Sequence, residues 1–109
     1  ALNFAKNHFQ TLLNTHPDGQ SLGYSYYKER GFTPETIQKF ELGYSLDQWD
    51  GFLKEAVGKG YNTEILEAAG LIIRKEGENK QYDRFRGRVM FPIHNVSGRV
   101  IGFGARTLK

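Results

Sequence analysis

The chain has 109 residues, of which 39% are hydrophobic and 14% aromatic, a net charge of +3 and no cysteine. That is one domain's worth of chain, apolar enough to build a single core rather than stay disordered. The missing cysteines exclude disulfides and cysteine-bound zinc, and no apolar run approaches the roughly 20 residues of a membrane-spanning helix. A soluble cytoplasmic protein with no membrane partner is the expectation.

Leu2, Phe4, Ala5, Phe9, Leu12 and Leu13 recur at helical spacing and predict a helix over 2–14, ended at His16-Pro17. Asp18 suits the cap of a second helix over 18–30, with Leu22, Tyr26 and Tyr27 inward and Gly31 as its stop. Thr33-Pro34-Glu35 starts a third over 34–40, proline standing at the first helical position. Leu42-Gly43-Tyr44 suits a short extended segment. Helices over 48–59 and 63–69 follow, the last stopped by Gly70. From Leu71 the pattern alternates, which predicts strands over 71–75, 81–93 and 99–105. Turns at Glu76-Gly77-Glu78-Asn79 and His94-Asn95-Val96-Ser97-Gly98 join them. The fold class is α+β: a helical N-terminal two-thirds packed beside a small antiparallel β-meander, forming a single subdomain over 1–109. The chain opens directly in a helical pattern and stops on a strand pattern, which reads as a piece of something larger.

Charge is unevenly spread. Residues 1–73 hold six Lys/Arg against nine Asp/Glu, whereas residues 74–109 hold nine against three. A phosphate-bearing partner fits the C-terminal third. The run Tyr82-Asp83-Arg84-Phe85-Arg86-Gly87-Arg88-Val89-Met90-Phe91-Pro92-Ile93 sharpens this expectation. In one strand Arg84, Arg86 and Arg88 would share a face, and Phe85, Val89, Phe91 and Ile93 would anchor the other. Stacked guanidiniums repel one another, and their planar forks suit phosphate. The alternative is that Arg84 pairs with Asp83 or a helix acid while Arg86 and Arg88 are ordinary solvated surface.

Other features carry two readings each. Gly102-Phe103-Gly104 lets a backbone approach a ligand closely, or marks a bulge; Arg106 lies just beyond it. Arg30 ends the second helix, either as a ligand contact or as a cation favoured at a helix C-terminus. Trp49 offers an indole for base stacking, or a core anchor. His8, His16 and His94 are far apart, so no metal site is expected, and Glu64, Glu67, Asp47 and Asp50 read as surface and helix-start residues. No nucleophile-base arrangement or phosphate loop is visible, so no catalytic residue is assigned.

The run over 82–93, followed by Gly98-Arg99-Val100-Ile101-Gly102-Phe103-Gly104, closely resembles the DnaG-type bacterial DNA primases. Tyr27-Lys28-Glu29-Arg30-Gly31-Phe32-Thr33-Pro34-Glu35-Thr36-Ile37, Leu42-Gly43-Tyr44, Trp49-Asp50 and Ala68-Ala69-Gly70-Leu71 fall in the same order, so the resemblance covers nearly the whole chain. It implies the N-terminal subdomain of the RNA-polymerase core, between a zinc-ribbon domain and a Toprim domain whose acidic residues bind magnesium or manganese. By the same resemblance the parent enzyme, a nucleotidyltransferase, copies single-stranded template into RNA primers from ribonucleoside triphosphates. It meets replicative helicase through another domain. The family's basic groove falls on Arg30, Arg84, Arg86 and Arg106, with Arg88 and Arg99 beside it. Ala105 stands where a third glycine is common, and His94-Asn95 where a basic-acidic pair is common. Rival readings are a stand-alone single-strand-binding module and a protein-interaction module.

Overall fold

The computed structural model describes every residue except Glu76, Glu78, Asn79 and Lys109, so most of the turn expected at 76–79 lies outside the described residues. Helix α1, Leu2–Thr15, buries Ala5, Phe9 and Leu13 along one face. It stops where Pro17 forces His16 into an extended conformation, φ −80° and ψ 137°. His16 then starts the next helical segment. Its carbonyl accepts the Gln20 N–H at 2.9 Å and its Nδ1 accepts the Asp18 N–H at 3.1 Å.

Asp18 is therefore not the cap expected from the sequence; it is already helical and makes no side-chain cap bond. The single helix expected over 18–30 is instead a π-helical stretch, Gly19–Gly23, running into α2, Tyr24–Glu29. Gly19 and Gly23 explain the wide turn. Each is buried against α1, and a Cβ at Gly19 would collide with the Leu12 carbonyl.

Helix α2 closes through Gly31 at φ 86°, with the Gly31 N–H bonded to the Lys28 carbonyl and the Phe32 N–H to that of Tyr27. Helix α3, Pro34–Lys39, closes by the same pair of bonds but with Glu41 in the left-handed position, φ 57°. Helices α4, Gly51–Gly58, and α5, Thr63–Ala68, complete the helical part. Gln48, Trp49 and Asp50 thus precede α4 rather than opening it.

Strands β1 (Gly43–Ser45), β4 (Arg88–His94) and β5 (Val100–Thr107) form one antiparallel sheet in the order β1-β4-β5, while β2 (Ile72–Arg74) and β3 (Gln81–Asp83) form a separate hairpin. The strand expected over 81–93 is broken at residues 84–87. The Arg84 N–H turns to the Leu71 carbonyl, and the Gly87 N–H turns to that of Leu46, with Gly87 at φ 61°. The strands expected to follow one another are two hairpins, and the short segment at 43–45 supplies the third strand of the main sheet.

That sheet is covered on both faces. Met90 joins Ala5, Phe9, Phe52, Ala56 and Leu66 in one buried cluster, and Val89 joins Leu13, Tyr26, Tyr27, Ile37 and Tyr44 in the other. The one-sided anchoring expected for the strand does not hold, and Ile93 is half-exposed. Helix α1 reaches both clusters because Gly43 lets Phe9 approach β1; a Cβ there would lie 2.6 Å from the Phe9 Cβ. The buried Tyr27 hydroxyl is shared between the carbonyls of Gly43 and Met90, each 2.9 Å away. Burial pushes its pKa up, so it remains a neutral donor. Among the described residues no helix is long and apolar enough to cross a membrane.

Candidate nucleic-acid interface

Because the chain turns at 84–87, Arg84, Arg86 and Arg88 do not share one strand face, and the six candidate arginines separate into distinct places. Arg30 and Arg106 meet at one cleft, beside Tyr26, Phe91 and Gly104; Arg88 borders it, but its pairing with Thr107 puts its side chain on the Met90 face of the sheet, opposite to Arg106. The register explains its floor. Phe91 pairs with Gly104 and Val89 with Arg106, so Phe91, Gly104 and Arg106 project on one face of the sheet. A Cβ at Gly104 would meet only Phe91 at 3.9 Å, which leaves the β5 backbone open to a ligand. Arg30, at the end of α2, enters the cleft with its guanidinium carbon 4.3 Å from the centroid of the buried Tyr26 ring. Among the described residues no carboxylate forms an ion pair with these three arginines.

A second arrangement surrounds Trp49. Its indole stacks on Tyr82, centroids 4.3 Å apart and planes 24° from parallel, and it remains 51% exposed. The Arg86 guanidinium carbon lies 5.0 Å from the Trp49 centroid and 5.3 Å from that of Tyr82. Asp83 sits behind this stack. Its buried carboxylate accepts the Phe52 N–H at 2.8 Å and the Leu53 N–H at 2.9 Å, in the first turn of α4. Burial pushes the Asp83 pKa up against the pull of these donors; the Asp50 charge adds to the rise and Arg86 opposes it.

The remaining candidates lie apart. Arg84 donates through Nη1 to the Gly70 carbonyl at 3.4 Å and leans over Phe85. Arg99 lines a different depression with Leu2, Lys6 and Gly98. His8 packs on Phe4, Phe9 and Phe52, His16 caps a helix, and His94 pairs with Glu41 at 2.8 Å. Among the described residues no three His, Asp or Glu side chains are grouped to hold a metal ion. Sequence reasoning missed Tyr26 and Tyr82, and it offered Asp83 only as an ion-pair partner of Arg84, whereas the Asp83 carboxylate is taken by the Phe52 and Leu53 amides. The adjacency of Tyr82 to the arginine run was the only available signal.

Guanidiniums at a cleft suit phosphate, and an exposed aromatic pair suits base stacking. Residues 8–109 match the DNA primase catalytic core, N-terminal domain. The chain belongs to that family. The DNA primase of Deinococcus radiodurans is 47% identical over 105 residues, which are 96% of this chain and 17% of that protein. The crystal structure of a DNA primase domain from Pseudomonas aeruginosa superposes with a TM-score of 0.87 at 38% identity, covering 99% of this chain and 33% of that one. A DnaG primase catalytic domain bound to single-stranded DNA gives 0.89 at 36% identity, covering 99% and 34%. This primase core domain thus spans about a sixth of the length of the curated relative it matches. The two positions that the resemblance marked as departures both lie in the main sheet, and the β4–β5 register shifts at one of them, between Ile93 and His94. Ala105 faces Met90 across the strands, and His94 is taken up by Glu41.

Proposed function

We propose that this primase core domain holds single-stranded template DNA and the phosphates of incoming ribonucleoside triphosphates while a longer protein synthesises RNA primers. The observation that carries the reading is the meeting of Arg30 and Arg106, neither ion-paired among the described residues, at a cleft floored by Gly104. Guanidiniums gain by meeting phosphate, and an open glycine backbone lets a strand lie close. Trp49 and Tyr82 supply a surface on which any base can stack, so binding is sequence-tolerant. A relative with this fold, bound to single-stranded DNA, supports the reading.

Phosphoryl transfer in primer synthesis calls for metal ions held by clustered carboxylates. The acidic side chains described here are dispersed. On this reading the metals belong to the Toprim domain, zinc to the zinc-ribbon domain, and helicase contacts to another part of the longer protein. The test is a mobility or anisotropy assay with labelled oligothymidylate, comparing the chain with an Arg30→Ala/Arg106→Ala variant. A second arm adds template, magnesium and all four ribonucleotides. Loss of binding in the folded variant and no primer in the second arm are expected. Undiminished binding by the variant, or primers made by the chain alone, would overturn the assignment.

A further inference from the structure

We infer that Asp83 is the positioning residue of the Trp49–Tyr82–Arg86 stack, an inference that rests on the nucleic-acid reading of that stack. One residue ties both of its halves together. The Asp83 N–H donates to the Trp49 carbonyl at 2.8 Å, which holds the backbone that carries the indole. Its carboxylate fixes the first turn of α4, which begins two residues after Trp49. Tyr82 is its immediate chain neighbour, and Arg86 follows on the turn that leaves β3.

The two halves come from separate segments. Tyr82 lies in a two-stranded hairpin, paired with Ile73 and anchored in the core through Ile72. Helix α4 has no side-chain cap of its own, because Asp50 makes no cap bond. The two segments meet through Asp83, whose side chain is 4% exposed and bonded on both oxygens. A carboxylate is the side chain suited to this place. It offers acceptors to two N–H groups at once, whereas a carboxamide offers one acceptor and turns a donor toward the second amide. Asp83 is buried and both of its carboxylate oxygens are taken by backbone amides, so its effect on the stack passes through Trp49 and Arg86.

Trp49 is the only tryptophan of the chain, so its fluorescence reports on this contact alone. The experiment compares the full chain with Asp83→Asn, Trp49→Ala and the double variant, with circular dichroism as folding control. In folded Asp83→Asn, Trp49 emission shifts to the red and acrylamide quenching increases. Affinity for labelled oligothymidylate falls about fivefold, at the low end of what one base stack contributes. In the Trp49→Ala background the same substitution adds clearly less, only the part that passes through Arg86, because residues coupled in one unit do not act additively. Unchanged emission and quenching in folded Asp83→Asn, or an undiminished fivefold loss on top of Trp49→Ala, would overturn the inference.

Should Asp83→Asn fail to fold, hydrogen exchange on the unmodified chain decides. Coupling is reciprocal, so oligothymidylate slows exchange at the Phe52 and Leu53 amides if Asp83 links them to the stack. Unaltered exchange at both amides overturns the link. A chain whose own Trp49 emission ignores the oligonucleotide would refute the nucleic-acid reading. A red shift on Asp83→Asn would still show the positioning of the indole.

Discussion

Arg86 flanks the Trp49–Tyr82 stack, its guanidinium carbon 5.0 Å from the indole centroid and 5.3 Å from the tyrosine centroid, which places a cation next to an exposed aromatic surface. The pair joins the two ways a single strand can be held, by its phosphates and by its bases. Removing each half should give a different signature. Trp49→Ala should weaken oligonucleotide binding by about 1–3 kcal/mol and leave its salt dependence unchanged, since no charge is lost. Arg86→Ala should reduce both. Anisotropy titrations at three salt concentrations separate the two outcomes.

Gly104→Ala is expected to preserve the fold and impair binding. The added methyl meets Phe91 at an ordinary contact distance, and alanine in a strand costs less chain entropy than glycine. The thermal midpoint should therefore stay level or rise slightly. The same methyl protrudes into the cleft between Arg30 and Arg106, so oligonucleotide affinity should fall. A fall in the melting temperature with unchanged affinity would show that Gly104 serves the sheet rather than the cleft.

Stability should decline as pH falls, in two steps with different owners. Burial among aromatic rings holds the His8 pKa below its ordinary 6.5, with Glu55 opposing. The unfolded chain then binds a proton that the folded chain resists, and stability is lost as pH falls through 6.5. The Glu41 pKa is lowered chiefly by its hydrogen bond to Lys6, with His94 assisting, so its contribution is present above 4.5 and lost as the carboxylate protonates. Asp83 acts in the opposite sense. Its raised pKa lets the folded chain take up a proton first, which offsets part of the acid loss. Urea melts from pH 8 to 4 should show His8→Phe flattening the upper step and Glu41→Gln the lower one.

Tyr27→Phe should lower stability by about 1–3 kcal/mol, since it strips a buried donor from two carbonyls while keeping the ring. Chemical denaturation measures this directly. Oligonucleotide binding by the folded fraction should be unaffected.

The helical punctuation was legible in the sequence because Gly31, Gly70 and Thr33-Pro34 act locally, through backbone conformation and caps. Glu41 doing glycine's work in the left-handed region was not, since its conformation is held by Lys6 and His94 from distant segments. The arginine run misled for a related reason. Strict alternation at 84–89 describes a continuous strand, but the amides of Arg84 and Gly87 found carbonyls on Leu71 and Leu46 instead. Arg30 and Arg106 were recognised as candidates, and tertiary structure brings them to one cleft, while strand alternation turns the Arg88 side chain to the other face of the sheet. The stacking partner of Trp49 could not be read from spacing, because Tyr82 reaches it only through the hairpin and the Asp83 clamp.

The central claim is that the cleft arginines hold the phosphates of a single strand. The most direct measurement is the affinity of labelled oligothymidylate against salt, for the chain and for Arg30→Ala/Arg106→Ala. With about three to four phosphates neutralised, log K should fall against log salt with a slope of roughly −2 to −3. The double variant, still folded by circular dichroism, should bind more weakly with a slope flatter by about one unit. An identical slope and affinity in the two proteins would contradict the account.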